Sequence, residues 1–240
     1  MADLTTREYR NSELEEVFSK PPLREVAFEI RFTPRLRVQA EIWRLQDQLV
    51  DVYPVVSTES AIQTNGAVID ISVFQDPVAA RTLKVSSQNF VVAFSRYLCF
   101  EDFKEEITAR VRQFCSTFGV DSFTRVGLRY VNEISMPELS VDSLLEYVRP
   151  MVDFDRFPLR DIDQFATEVR AQYRSHMVTV RGVLLPGLLR TYVLDIDCHT
   201  ESPKSSVSYP ELLELFHDSA QRIFLDHITD RFKEVMRGKP

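Results

Sequence analysis

The hydrophobic positions of this 240-residue chain change period several times, and each change marks a new element. From Glu25 to Phe32 the residues Val26, Phe28, Ile30 and Phe32 alternate with Glu25, Ala27, Glu29 and Arg31. A period of two is a half-buried strand, here with a charged outer face. The Pro21-Pro22 pair before it holds the entering chain extended. After Pro34 the period becomes helical: Val38, Ile42, Leu45, Leu49 and Val52 form one stripe, and Pro54 ends it. Trp43 stands one position off that stripe and is expected to close the edge of the core, the alternative being a partner interface. Three strand-like runs follow at Val68–Phe74, Thr82–Ser86 and Phe90–Phe94, with turns at Asn65-Gly66 and Gln75-Asp76-Pro77. A second helix carries Phe103, Ile107, Val111, Phe114 and Phe118 on one face. Gly119 follows it, where a left-handed C-terminal cap belongs.

The pattern then starts over. A strand at Thr124–Ile134 leads to a short helix capped by Ser140. Strands at Phe165–Tyr173, Met177–Leu185 and Leu189–Cys198 come next, and a long helix runs from Ser208 and Pro210 to Met236. Strand, helix, three strands and long helix thus occur twice, over residues 21–120 and 121–240. A polar segment at 1–20, with a short helix around Ser12–Phe18, precedes them. The repetition predicts an α+β fold in one domain. Two pseudo-equivalent halves share a curved antiparallel sheet, with the long helices on one face and the other face open. The saddle of TATA-binding proteins and the helix-grip folds have this kind of architecture, by analogy of form alone.

Composition narrows the chemistry. Gly is scarce, at 6 residues, which leaves little room for loops that approach a phosphate closely and argues against a glycine-loop nucleotide enzyme. The formal net charge is -7, so long-range attraction to a phosphate backbone is absent and nucleic acid is not the expected partner. Cys99, Cys115 and Cys198 are odd in number and widely spaced, forming neither a disulfide framework nor a metal knuckle. No apolar run is long enough to span a bilayer and the N-terminus lacks an apolar signal core. The expectation is a cytoplasmic protein with reduced thiols, no membrane association and no cofactor.

Several phrases occur together: Pro21-Pro22-Leu23-Arg24-Glu25-Val26 leading to Glu29-Ile30-Arg31-Phe32, then Arg125-Val126-Gly127-Leu128-Arg129-Tyr130-Val131-Asn132, then Leu194-Asp195-Ile196-Asp197. His217 and Ile228-Thr229-Asp230 of the closing helix belong with them. With these phrases the chain resembles an uncharacterised family of about this length, sporadically distributed in bacteria and archaea, from Pro21 onward. These are strand motifs and carry no activity over. Sporadic occurrence is typical of horizontally mobile genes, so the resemblance implies a bacterial cytoplasmic protein and hints at a defence or toxin-type system.

The charged outer faces of the strands are the candidate site. Arg31, Arg129 and Arg170, with Glu29, Glu133, Asp195 and Asp197, should emerge together on the face opposite the helices, beside Glu25 and Glu168. Interleaved so, they form either a cross-strand lattice of ion pairs or a cleft in which the three guanidinium forks grip an anionic ligand. Asp195 and Asp197 share a face, but a Mg²⁺ site needs a further oxygen donor, and the spacing of Glu25 and Glu29 does not match a triphosphate-tunnel enzyme; no metal is expected. His217 and His227 are too far apart along a helix to share an ion, and Cys198 and His199 point to opposite faces of a strand. Asn132, disfavoured inside a strand, marks a bulge, a strand end or a hydrogen bond to a neighbouring loop. No nucleophile elbow, zinc-protease helix or phosphate-binding loop occurs. The reading is a non-catalytic binding or scaffold subunit with a protein partner. The alternative is an enzyme acting on a small anionic or phosphorylated substrate at the charged face.

Overall fold

The computed structural model describes residues 18–62, 66–135, 141–152, 164–186, 191–201 and 209–238. In chain order the elements are β1 (Leu23–Arg31), α1 (Leu36–Ala40), α2 (Trp43–Leu49), β2 (Val55–Ile62), β3 (Val68–Asp76), β4 (Arg81–Val85), β5 (Asn89–Phe94) and α3 (Phe100–Phe118). Then come β6 (Arg125–Ser135), α4 (Val141–Tyr147), β7 (Phe165–Tyr173), β8 (His176–Leu185), β9 (Thr191–Glu201), α5 (Tyr209–His227) and α6 (Asp230–Met236). The strands form one open antiparallel sheet in the order β2-β3-β4-β5-β1-β6-β9-β8-β7.

β1 and β6 lie side by side near the middle of this sheet, with Phe28 opposite Leu128, Ile30 opposite Val126 and Val26 opposite Tyr130. Leu128 in turn faces Cys198 of β9, and Tyr130 faces Ile196. All of these side chains are buried, so one face of the central strands is continuously apolar. Both long helices lie on that face. Phe28 packs against Tyr209 of α5, while Phe32 and Phe90 pack against Phe114 of α3 at 5.4 and 4.6 Å between ring centres. The apolar stripe of α3 (Phe103, Ile107, Val111, Phe114, Phe118) is buried throughout, and Gly119 ends the helix at φ +67° with its N–H on the Cys115 carbonyl.

Four expectations need correction. The chain from Val55 to Ile62 is a strand of 8 residues in register with β3, so the first half has four strands after its helices instead of three. β2 lies at the sheet edge and is exposed along nearly its whole length, so it carries no alternation to betray it. The first helix is two short ones, separated at Glu41–Ile42, with Gln39 of α1 donating to the carbonyls of Asp70 and Val85. Trp43, expected at the edge of the core, is 58% exposed. The closing helix also breaks: Ile228 bridges to Val148, Arg149 N–H donates to the His227 carbonyl, and Thr229 N–H donates to Tyr147. Thr229 then caps α6, its hydroxyl accepting from Phe232 N–H. The helix foreseen around Ser12 and the caps foreseen at Ser140 and Ser208 lie outside the described residues, as does Asn65 of the first turn.

Two predictions test this packing. Phe28→Ala removes a fully buried ring at the centre of the core and should cost about 3–5 kcal/mol in urea unfolding; a loss under about 1 kcal/mol would mean the ring is not buried. His176 stands on the inward face of β8 beside Phe216 and Tyr173, with both ring nitrogens buried and without hydrogen bonds. Burial, with Arg174 and His199 adding, holds its pKa below the ordinary histidine value. Below about pH 6.5 the unfolded chain therefore binds a proton that the folded chain refuses, and stability falls as the pH drops. His176→Phe should flatten that decline between about pH 7 and 5 in denaturation curves. Identical declines in parent and variant would clear His176 as its source.

Candidate functional site

The face opposite the helices carries the residues that alternate with the core. Arg31 and Glu29 of β1, Arg129 and Glu133 of β6, Asp195 and Asp197 of β9, and Arg170 of β7 all emerge there, as their register across the sheet requires. Each is engaged. Arg31 Nε donates to Glu29 Oε1 at 3.0 Å along the same strand. Arg129 forks onto Asp195 through Nε and Nη2 at 2.7 and 2.9 Å. Arg170 Nη2 donates to Glu201 at 2.8 Å, and Arg24 pairs with Glu133.

Two arginines absent from the sequence-based set join these pairs into a network. Arg125 of β6, only 13% exposed at its side chain, bridges Glu29 on one neighbouring strand and both carboxylate oxygens of Asp197 on the other, the latter at 2.8 and 2.9 Å. Arg181 of β8 pairs with Glu168 and lies 3.4 Å from Asp195 Oδ2, so the buried Asp195 carboxylate sits between two guanidinium groups. Gly127 explains why Arg125 can lie across the sheet: a Cβ there would overlap the guanidinium. Burial would raise the Asp197 pKa, but His199, with Nδ1 3.4 Å away, and Arg125 outweigh it and hold the carboxyl below its usual range. The signal for Arg125 was in the sequence, since Arg125, Gly127 and Arg129 share one parity on a strand flanked by acids of the same parity. The open face is a lattice of ion pairs, and among the described residues each of its three candidate arginines already holds a carboxylate.

A second site lies on the opposite face, at the end of the sheet where β1 begins. There a cavity of about 760 Å³ opens between the sheet, the start of α3 and the middle of α5. Its walls come from five stretches of chain, including Phe18–Leu23, Tyr97–Lys104 and Glu214–Leu225, which is why no local motif announces it. Tyr130 of β6 and His217 of α5 form its polar floor, joined by a hydrogen bond of 2.7 Å between the hydroxyl and Nδ1. Phe100 stacks on the His217 ring at 3.9 Å between centres and 4° between planes. Burial lowers the His217 pKa, with Asp218 and Glu101 opposing, and burial raises that of Tyr130, so both stay neutral at neutral pH. Tyr97 stands edge-on to Tyr130 with its hydroxyl buried. That hydroxyl lies near enough to Tyr130 for each to shift the other's ionisation, although it makes no hydrogen bond in the structure. Lys104 of α3 and Glu214 of α5 pair at the rim. Asn132 also lines the cavity, donating from Nδ2 to the Leu194 carbonyl at 3.3 Å. It lies beside a register shift between Leu23 and Glu25 of β1, so the bulge foreseen for it is present, whereas its hydrogen bond goes to the adjacent strand β9 and not to a loop.

Among the described residues no three of His, Cys, Asp and Glu come together as a metal-binding group, and no helix is long and apolar enough to cross a membrane. No protein-family model matches the chain, and no curated protein does. Among solved structures, DynU16, a protein of the dynemicin biosynthetic locus, matches over 83% of this chain and 95% of its own at 11% identity and a TM-score of 0.24. At that score the backbones do not superpose closely enough to carry anything from one protein to the other.

The lattice predicts a gradient in stability. Arg125→Met leaves Glu29 and Asp197 without their shared partner and should cost about 3–5 kcal/mol, as breaking a buried pair does. Arg170→Ala, at the exposed outer strand, should cost about 0–1 kcal/mol. Equal losses in chemical denaturation would refute the buried-bridge role of Arg125.

Proposed function

We propose that the protein is a non-catalytic binding module whose ligand occupies the aromatic cavity between the sheet and the helices. The observation that carries this reading is the cavity itself, about 760 Å³ with walls of Phe18, Leu23, Tyr97, Phe100, Phe224 and Met236 around the Tyr130–His217 pair. Its volume falls within the range of about 300–1,000 Å³ in which small-molecule sites lie, and apolar walls with a few oriented polar groups are what such sites present. The polar pair is neutral and internally bonded, which suits it to orient a ligand more than to move protons. Cys99 lines the same space, but among the described residues no hydrogen bond couples it to His217 as a nucleophile and base would require. The alternative of an anion-processing site on the open face draws less support, because Arg31, Arg129 and Arg170 already hold carboxylates. In form, the long helices gripping one face of the sheet around a cavity favour the helix-grip variant of the expected architecture. A place in a bacterial cytoplasmic complex, with a protein partner, belongs to this proposal through the family resemblance.

Cys99 offers a direct test. It is the N-cap residue of α3 but its side chain makes no capping hydrogen bond, so a bulky group there fills the cavity without removing a cap. Burial pushes Cys115 up to about 11 and Cys198 higher still, so neither competes for a thiol reagent near neutral pH. The protein should enhance the fluorescence of the neutral probe N-phenyl-1-naphthylamine, and fluorescein maleimide on Cys99 should weaken that binding at least about tenfold. No binding by the unmodified protein, or full binding after alkylation, would overturn the reading.

A further inference from the structure

We infer that the ligand of this cavity is an amphipathic carboxylate, held by Arg222 with its apolar body against the aromatic walls. The inference rests on the cavity reading above and adds the charge of the ligand to it.

Arg222 projects from α5 and lines the cavity. Among the described residues its guanidinium has no ion-pair partner, Asp218 one helical turn earlier included, and its Nε is buried without a hydrogen bond. This contrasts with the open face, where Arg31, Arg125, Arg129, Arg170 and Arg181 all hold acids. A buried donor on a charged group that is left unpaired is destabilising, and buried polar atoms in folded proteins are nearly always satisfied. Arg222 therefore stands ready for an acceptor that the chain does not provide. A carboxylate fits best, since its two oxygens match two N–H groups of the guanidinium fork.

A second polar group of the cavity calls for the same kind of ligand. The Tyr97 hydroxyl is a second buried group without a hydrogen bond, and burial keeps its proton on, so it too seeks an acceptor. Of the remaining charged side chains of the lining, Lys104 and Glu214 hold each other, and Glu101 and Asp218 are carboxylates without an ion pair among the described residues, so the anchoring of an acid falls to Arg222. A ligand amine would find Glu101 and Asp218, but it would leave the Arg222 and Tyr97 donors unsatisfied and place two like charges in one cavity. The aromatic and aliphatic walls in turn bury a body of some ten carbons or a pair of fused rings, for which an uncharged polar ligand would have no use. An acyl chain and an aryl acid share this chemistry and differ only in the shape of that body.

Competition against bound N-phenyl-1-naphthylamine reads the charge directly. Decanoate and decanol have the same chain, and with no cationic anchor the alcohol, which gives up less hydration, should displace the probe at the lower concentration. The inference requires the reverse: decanoate should displace the probe at a concentration at least about tenfold below that of decanol, and Arg222→Gln should abolish or invert this ratio. The ratio is taken within each protein, so a change in probe affinity does not affect it. 1-Naphthaleneacetate run beside decanoate distinguishes an aryl from an acyl body. A decanol advantage in the parent, a ratio that survives Arg222→Gln, or a probe that no acid displaces would each overturn the carboxylate while leaving the cavity reading standing. Failure of the probe to bind at all would instead strike the cavity reading.

Discussion

Phe28 and Leu128 face each other across the β1–β6 pair, and the same register sets Glu29 opposite Gly127 on the other side of the sheet. Because side chains alternate with a period of two, one alignment serves both faces at once. It places Val26, Phe28 and Ile30 with Val126, Leu128 and Tyr130 under the helices, and it delivers Arg125 to Glu29 and Asp197. A slip of one residue would expose the apolar set and bury the charges. Core and ion lattice are thus two consequences of one pairing, and neither can be altered without the other feeling it.

The lattice has a specific economy of space. A guanidinium laid flat over a sheet needs a neighbour without a side chain, and Gly127 provides it two residues from Arg125. The result is that Arg125, Asp195 and His199, all on a face that no long helix covers, are nevertheless buried or nearly so. Charges so enclosed interact more strongly than surface pairs, and losing one partner leaves the other stranded. A face organised in this way gains little from recruiting a further anion, which would have to displace a carboxylate already in place.

The cavity forms where that regular pairing ends. The register of β1 shifts between Leu23 and Glu25, and Leu23, Tyr130 and Asn132 all border the space. Above them α3 begins at Phe100, whose ring meets His217 of α5 instead of the sheet. On the open face the arginines and acids hold one another, whereas the cavity leaves Arg222 and Tyr97 with bonding capacity unused. That asymmetry, more than any single residue, separates scaffold from site.

Strong periodicity was legible in the chain alone. The alternation of β1 and β6 and the stripe of α3 are properties of local sequence, as is the glycine cap at Gly119, because burial on one side forces them. The charged face and its members, Arg31, Arg129, Arg170, Glu29, Glu133, Asp195 and Asp197, followed from the same parity. Where burial does not act, the sequence is silent: β2, exposed along the sheet edge, has no reason to alternate. Tertiary contacts decided the rest. The break between α5 and α6 is imposed by backbone pairing with the segment around Val148, against an apolar pattern that reads as one continuous helix. Which acid each arginine holds depends on strand order, since Asp195 reaches Arg129 and Arg181 only because β9 lies between β6 and β8. The cavity draws its walls from stretches separated by most of the chain, so its existence, and the unpaired Arg222 within it, belong to the fold and to no segment of the sequence.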